Sequence, residues 1–162
     1  MRDDDFEQLY AEQAQGLLGF LVYRTGDRAM AEDVLADAFE RVLRSRRRFD
    51  PRRGSAKTWL YTVALNRLRD LQRRGQTERR ALEQVAARTE VADRGGLDQI
   101  EAGGDLNAAL ARLSEEEREA VALRFGGDLT VPEVARIIDV KVSTAEGRIY
   151  RGLEKMRDAL DA

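Results

Sequence analysis

Apolar residues recur at three- and four-residue spacing along most of the chain, in segments separated by glycine, proline and polar residues. This period places apolar side chains on one face of an α-helix. The first segment begins near Phe6 and ends at Gly26, the second covers residues 28–44, and a third follows Ser55, a predicted N-cap. Runs of alternating β-branched residues are absent, so the sequence predicts an all-α fold.

Residues 75–104 break this pattern, because they contain two Gly-Gly pairs and few large apolar residues. A segment of this length without regular structure is uncommon inside a compact domain and ordinary between two domains. The sequence therefore predicts two small helical bundles joined by a flexible linker. We expect the domains at residues 1–75 and 105–162, with the linker at 76–104 and a turn or two of helix near 79–87.

The second domain contains three S/T-x-x-E patterns, in which a hydroxyl caps a helix start and the glutamate bonds back to the cap. They are Ser114 with Glu117, Thr130 with Glu133 and Ser143 with Glu146. They predict three helix starts in succession. A tight turn separates the helix at residues 131–138 from a long helix that starts at Ser143. This is the arrangement of a helix-turn-helix, whose second helix enters the DNA major groove.

The composition excludes several classes of site. The chain has no cysteine and no histidine, so a disulfide, a Cys/His zinc site, a thiol nucleophile and a histidine base are all excluded. No G-x-x-x-x-G-K-[ST] phosphate loop is present. We expect no catalytic residue, no metal and no cofactor, and the chain is not predicted to be an enzyme. Because no apolar segment approaches the ~20 residues of a membrane span and no secretory signal is evident, we expect a cytoplasmic protein without membrane insertion.

A net charge of −2 conceals a very uneven distribution of charge. Residues 1–40 carry a net −7, residues 41–80 a net +11, and residues 81–162 a net −6. Nearly all basic residues of the middle block are arginines, which suit phosphate recognition and stacking on bases. The block predicts contact with a polyanion; the alternative is a solvated helical surface.

Short motifs in both predicted domains follow a family pattern in the right order. The first domain has AEDVLADAF at residues 31–39, Phe49-Asp50, and WLYTVALNRLRD at residues 59–70, and the second has Leu113-Ser114 and PEVAR at residues 132–136. These motifs resemble those of the extracytoplasmic-function (ECF, group IV) sigma factors of bacterial RNA polymerase, within the sigma-70 family. The resemblance implies a sigma region 2-like first domain and a region 4-like second domain. It also implies a sigma factor that directs promoter-specific transcription initiation by binding core polymerase and promoter DNA.

The resemblance implies that the second helix binds the clamp helices of the largest polymerase subunit, and that the flap of the second subunit is a further contact. The implied residues combine an acidic rim with apolar anchors: Glu32, Asp33, Leu35, Asp37, Phe39 and Glu40. Such a surface suits a basic partner helix; the alternative is that the acids only face water. Ala36 stands where the family usually has glutamine.

The resemblance also implies that the third helix and the loop before it bind the promoter −10 element and separate its strands. The implied residues are Arg46, Arg47, Arg48, Arg52, Arg53, Trp59, Tyr61, Asn66, Arg67, Arg69, Arg73 and Arg74. Aromatic rings can cover an exposed base stack, although Trp59 suits a core equally well. Trp59 and Tyr61 lie two positions apart and cannot share a helix face, so at least one is expected to be internal. Asn66 can pair with adenine or cap a backbone group.

For the promoter −35 element, the resemblance implies contacts from the start of the last helix: Ser143, Thr144, Glu146, Arg148 and Arg151. Serine and threonine can hold phosphate at a helix N-terminus, and arginine can fork onto guanine. Glu146 departs from the family, which usually has a basic or polar residue there. Its carboxylate either caps the helix or accepts from cytosine.

An anti-sigma factor is a further partner that the resemblance implies, and the polymerase-bound chain is expected on the nucleoid. Two other functions explain part of the sequence. Ala36 and Glu146 suit a helical adaptor that docks on polymerase or another protein without recognising promoters. A helix-turn-helix repressor would explain only the last third of the chain. A steep fall of DNA affinity with salt would favour a promoter-binding protein over the adaptor.

Overall fold

The computed structural model describes residues 1–85 and 104–161. The first domain contains α1 (Asp3–Thr25), α2 (Arg28–Arg44), two 3-10 turns (Arg46–Arg48 and Pro51–Arg53) and α3 (Ala56–Val85). The second contains α4 (Gly104–Ala111), α5 (Glu115–Val121), a π turn (Ala122–Gly126), α6 (Val131–Ile137) and α7 (Val142–Asp161). These two stretches of chain contain no strand, and the all-α prediction is confirmed.

The boundary between α1 and α2 is set by two neighbouring residues. Gly26 ends α1 in the left-handed conformation, with φ of 66°, which glycine adopts without steric penalty. Asp27 then caps α2, since its carboxylate accepts from the backbone N–H of Met30 at 3.1 Å. Both helix ends lie where the sequence predicts them.

Helix α3 begins as predicted and continues further than predicted. The Ser55 hydroxyl accepts from the backbone N–H of Thr58 at 3.1 Å, as an N-cap does. The helix then runs through Gly75 to Val85, into the segment predicted as linker. A single glycine costs a helix only about 1 kcal/mol, and the residues around it are strong helix formers. The rest of the predicted linker, residues 86–103, lies outside the described residues.

Two of the three predicted capping boxes in the second domain are present. Ser114 with Glu117 and Thr130 with Glu133 each make both reciprocal hydrogen bonds. The third box is wrong, because α7 begins at Val142 and Ser143 already lies inside its first turn. The first helical bond there runs from the N–H of residue 145 to the carbonyl oxygen of residue 141, at 3.1 Å.

An early turn explains this shift. Asp139 takes a left-handed conformation with φ of 57°, which aspartate tolerates better than most residues. The turn is therefore complete before Ser143, and the backbone N–H of Val140 bonds to the carbonyl oxygen of Ala135 at 3.0 Å. The helix-turn-helix order of α6 and α7 holds, with α7 starting one residue earlier than predicted.

The two domains pack against each other around α1, α3 and the π turn. Phe20, Leu60 and Tyr61 of the first domain share one apolar cluster with Leu123 and Leu129 of the second, and each of these five side chains is at most 1% exposed. A smaller cluster of Leu110, Leu113 and Val121 lies within the second domain. The sequence predicts two separate bundles and carries no indication of how they meet.

The capping boxes allow a matched test of where α7 begins. Ser114→Ala removes a cap whose loss typically lowers the free energy of unfolding by about 1 kcal/mol. Ser143→Ala removes an exposed hydroxyl inside a helix, so we expect a change within about 0.5 kcal/mol. Urea unfolding followed by circular dichroism measures both. An equal loss of stability in the two variants would show that Ser143 caps α7 after all.

Candidate polymerase and nucleic-acid interfaces

The loop between α2 and α3 is shaped by two 3-10 turns. Asp50 caps the second turn by accepting from the backbone N–H of Arg52 at 3.0 Å, and its carboxylate also pairs with the Arg52 guanidinium at 3.2 Å. Arg46 pairs with Asp3 at 3.0 Å. Within the described residues no ion pair involves the other loop arginines, which are all exposed: Arg47, Arg48 and Arg53. Three cations of this loop are therefore directed to solvent and can meet phosphate.

A cavity of about 270 Å³ opens between this loop and the start of α3. Trp59 forms one wall, half-buried and stacked on Phe49 with ring centroids 5.5 Å apart. Gly54 also lines the cavity, and the other lining residues supply charge and hydroxyl groups: Arg48, Asp50, Arg53, Ser55, Thr58, Thr62 and, from α6, Arg136. A flat aromatic wall beside arginines and hydroxyls is the chemistry that holds an unstacked base and its phosphate.

Tyr61 lies in the core and not at this cavity. Its ring is fully buried, 5.9 Å from that of Phe20, and its hydroxyl donates to the carbonyl oxygen of Gly127 at 3.3 Å. Burial, with smaller contributions from the charges of Glu133 and Asp128, raises the pKa of Tyr61. The structure thus corrects the assignment of Tyr61 to the DNA-binding set: the ring belongs to the contact between the domains. It is the internal member of the Trp59–Tyr61 pair, as their spacing requires.

The arginines of α3 fall into two groups. Arg67 pairs with Asp37 at 2.9 Å, which ties α3 to α2, and only 18% of its side chain is exposed. Arg69 reaches Glu119 of the second domain at 2.9 Å, and Arg73 pairs with an aspartate on its own helix. Arg74 and Asn66 are exposed. Arg67 and Asp37 therefore pair within the chain, and the phosphate and polymerase contacts predicted for them stay predictions.

On the predicted polymerase surface of α2, three acidic side chains are exposed, whereas the apolar side chain of Phe39 is buried. Glu32, Asp33 and Glu40 are exposed. Leu35 is partly buried. Phe39 is only 5% exposed, because the Phe6 ring packs edge-on against it at 6.2 Å and Tyr10 covers it at 4.8 Å.

Tyr10 of α1, which packs on Phe39, is 52% exposed, and Leu43 of α2 is 38% exposed. Leu9 and Tyr10 are adjacent apolar residues of α1. Adjacent positions of a helix point about 100° apart; Leu9 faces the core at 6% exposure, and Tyr10 points towards its edge.

The five residues of α7 predicted to bind the −35 element differ in exposure and in ion pairing. Ser143 and Glu146 are exposed and Thr144 is partly exposed. Arg148 is directed to Glu116 at 3.7 Å and Arg151 to Glu117 at 3.8 Å, both within the second domain. Because α7 already begins at Val142, Ser143 is not its N-cap and Glu146 is not the third helical residue of a capping box, so the capping interpretation of Glu146 is wrong. Tyr150, 64% exposed one turn later, was missed.

Comparison with known proteins identifies the family. The Sigma-70 region 2 family model matches residues 9–78, and the Sigma-70 region 4 model matches residues 104–156. The RNA polymerase sigma factor CarQ of Myxococcus xanthus is 32% identical over 97% of this chain and 90% of its own length. The ECF RNA polymerase sigma factor RpoE of Cereibacter sphaeroides is 32% identical over 94% of this chain and 84% of its own length. The chain belongs to the ECF family of RNA polymerase sigma factors.

Solved structures of sigma factors share the fold of both domains. RpoE in complex with the anti-sigma factor NepR, from Bartonella quintana, matches with a TM-score of 0.79 and 23% identity, covering 98% of each chain. CnrH in complex with the cytosolic domain of CnrY matches with a TM-score of 0.70 and 25% identity, covering 99% of this chain and 90% of CnrH. A sigma factor of this family initiates transcription as a polymerase subunit and is not itself an enzyme.

Two features are absent from residues 1–85 and 104–161. None of the helices there combines the length and the apolar character that a membrane crossing needs. No group of three or more acidic side chains in those ranges is arranged to hold a metal ion.

Glu117 gives the second domain a pH-dependent contribution to stability. It accepts from Lys155 at 2.7 Å and from the backbone N–H of Ser114 at 3.0 Å, and these bonds lower its pKa below the ordinary value of 4.5. A carboxylate with a depressed pKa stabilises the fold above its unfolded pKa, and this stabilisation is lost as the pH falls through the folded pKa.

We therefore expect Glu117→Gln to lower the free energy of unfolding most above about pH 5, with the difference from wild type shrinking towards about pH 3. Urea unfolding at a series of pH values measures this. Glu7→Gln, at an exposed position of α1, serves as the control and should follow the wild-type profile. A gap between wild type and Glu117→Gln that stays constant with pH would contradict the assignment.

Proposed function

We propose that this sigma factor uses three separate surfaces: the acidic face of α2 for core polymerase, the cavity beside Trp59 for the −10 element, and the start of α7 for the −35 element. The observation that carries the proposal is the cavity. A stacked tryptophan, hydroxyl groups and exposed arginines meet there, in a chain of a family that binds promoter DNA. We propose that the sigma factor acts in the cytoplasm, and on the nucleoid when it is bound to polymerase.

The cavity accounts for strand separation without any chemistry on the DNA. A base inside a duplex is stacked on both sides, and extruding it costs a few kcal/mol. Trp59 offers a ring on which the extruded base stacks, a contact worth about 1–3 kcal/mol. Arg48 and Arg53 hold the adjoining phosphates, and Arg47 extends the positive surface of the loop. Capture of one base thus offsets much of the free energy needed to open the duplex locally.

Polymerase binding draws on charge for encounter and on exposed apolar groups for affinity. Glu32, Asp33 and Glu40 give α2 a negative face that attracts a basic partner helix, and charges of this kind mainly raise the association rate. Tyr10 provides the exposed aromatic ring that interfaces favour. The clamp helices of the largest subunit are the partner we assign to this face, and the flap of the second subunit is assigned to the second domain.

Recognition of the −35 element relies on the first turn of α7. Ser143 and Thr144 stand where the free backbone N–H groups and the dipole of a helix attract phosphate. Arg148 and Arg151 reach DNA only when they leave Glu116 and Glu117. The exposed Glu146 accepts from a cytosine in the matching register and repels phosphate elsewhere. We therefore propose that −35 binding is weak and that the cavity beside Trp59 dominates promoter affinity.

Regulation by a protein partner follows from the solved relatives. The RpoE structure contains the anti-sigma factor NepR, and the CnrH structure contains the cytosolic domain of CnrY. We infer that an anti-sigma factor also binds this chain. A helical adaptor that docks without recognising DNA remains the competing function, favoured by the internal ion pairs that occupy Arg67, Arg69 and Arg148.

Removing the two cavity arginines tests the proposal. For Arg48→Ala with Arg53→Ala, we expect loss of promoter opening by the reconstituted polymerase, measured by permanganate reactivity of unpaired thymines. The affinity for single-stranded −10 DNA should fall less steeply with salt, by about 1.4 in the log–log slope, since each lost phosphate contact removes about 0.7. Core binding should be unchanged, because neither arginine lies on α2.

Arg112→Ala provides the control, since Arg112 is exposed in the second domain away from the cavity. It should match wild type in promoter opening and in salt slope. If wild-type protein binds core polymerase yet opens no promoter of its own genome, and its DNA affinity is flat with salt, the adaptor function is correct and the proposal fails.

A further inference from the structure

Another cavity, of about 610 Å³, opens between α3 and α5 and shares no lining residue with the cavity beside Trp59. We call it the Arg24 cavity, after the residue of α1 that lines it together with three glutamates of α5. Its volume lies in the range of about 300–1,000 Å³ that is typical of small-molecule sites. Four of its α3 residues recur at three- and four-residue spacing and therefore share one face of that helix: Asn66, Arg69, Arg73 and Gln76.

Most charged groups of the Arg24 cavity already have a partner of opposite charge. Arg69 donates to Glu119 at 2.9 Å, and Arg73 pairs with an aspartate on its own helix. Glu116 is directed to Arg148 of α7 at 3.7 Å. Two charged residues of the cavity, one of each sign, are left without a close partner among the described residues.

Arg24 is the positive member of these two. Its side chain is 5% exposed, far less than those of Arg69 and Arg73. Its buried Nε makes no hydrogen bond within residues 1–85 and 104–161, and Glu119 approaches it only to 4.0 Å, too far for a hydrogen bond. Burial lowers the pKa of Arg24. A buried guanidinium without acceptors is unfavourable, so this position favours an incoming anion.

Glu115, the first residue of α5, is the negative member. It is exposed, and it forms no ion pair in the part of the chain that the structure describes. Its charge acts on Arg24 in the direction that opposes the effect of burial on the Arg24 pKa, although the two side chains do not touch. Between them the cavity has three amides, which both donate and accept hydrogen bonds: Asn66, Gln72 and Gln76.

From this arrangement we propose that the Arg24 cavity binds a small zwitterion, such as an amino acid, with its carboxylate on Arg24 and its ammonium group at Glu115. A planar carboxylate matches the fork of a guanidinium. The cavity is lined by three arginines and four acidic residues, so an anion without a compensating cation would add to an existing negative excess. A zwitterion leaves that balance unchanged, and it stabilises the folded chain according to its occupancy.

The probes are four zwitterions of increasing length: glycine, β-alanine, γ-aminobutyrate and ε-aminocaproate. Butyrate and butylammonium each carry one of the two charges of γ-aminobutyrate and serve as matched ligands at constant ionic strength. The NMR signal of the Arg24 Nε–H and the backbone N–H signals around the cavity report binding. For a ligand of about seven non-hydrogen atoms we expect a Kd on the order of 1 mM, and binding at least about tenfold weaker for the two single-charge ligands.

Two variants separate the two ends of the ligand. Arg24→Met removes the donors and keeps a long apolar side chain, a replacement that is often neutral or stabilising for an incompletely paired buried charge. It should weaken the zwitterion and butyrate alike, at least about tenfold. Glu115→Gln should reduce the affinity for the zwitterion to that for butyrate and should not weaken butyrate. Glu7→Gln makes the same change at an exposed position of α1 and should match wild type.

Signals that none of the probes moves would show that the cavity holds water only, and the proposal would be wrong. Butyrate binding as tightly as γ-aminobutyrate would indicate a plain anion site and would also overturn it, as would zwitterion binding that Glu115→Gln leaves unchanged. Because Glu115 is exposed, that variant keeps the test decisive if Arg24→Met does not fold. None of these outcomes bears on DNA binding at the cavity beside Trp59.

Discussion

The approach of Gly19 to Gly126 fixes the arrangement of the whole molecule. Helix α1 and the π turn meet through backbone atoms, and a single methyl group on either side would push them apart. The burial of Tyr61 against Gly127 and the position of Arg136 over Gly54 require the same spacing. The contacts that join the domains are therefore not independent, and loss of the central one weakens all of them together.

The arginine-rich block has two competing uses. Its surplus of positive charge suits phosphate, yet Arg67 and Arg69 are bound by Asp37 and Glu119. The arginines of the α2–α3 loop are the main exception, since Arg47, Arg48 and Arg53 pair with no carboxylate of the described residues. Net charge along a sequence thus overestimates the charge that is available to DNA. The arginines without a carboxylate partner lie at or near the cavity beside Trp59, which is where we propose that the −10 element binds.

The sequence predicts those helix ends that are set by hydrogen bonds between residues close together in the chain. Gly26, Asp27, Ser55 and two capping boxes place helix ends because their hydrogen-bond partners lie within a few residues. The third box, at Ser143, fails because an S/T-x-x-E pattern also fits the interior of a helix, and the turn at Asp139 decided where α7 starts. The burial of Tyr61 could not be predicted, since its hydrogen-bond partner lies 66 residues away. The same applies to the ion pair between Arg69 and Glu119, 50 residues apart. Helical periodicity separates buried from exposed faces, but it does not say whether a face meets solvent, polymerase or the other domain.

Arg24 shows how a stable interface can still be reversible. A buried polar group without its hydrogen bonds costs about 1–3 kcal/mol, and more when it is charged. Each 1.4 kcal/mol changes the ratio of closed to open molecules about tenfold, so replacing Arg24 by a well-paired or apolar residue would make closure far harder to reverse. A partner shifts such an equilibrium only by its differential affinity for the two states. With the Arg24 charge buried and incompletely paired, separating the domains requires less free energy than it would with an apolar or fully paired residue at this position.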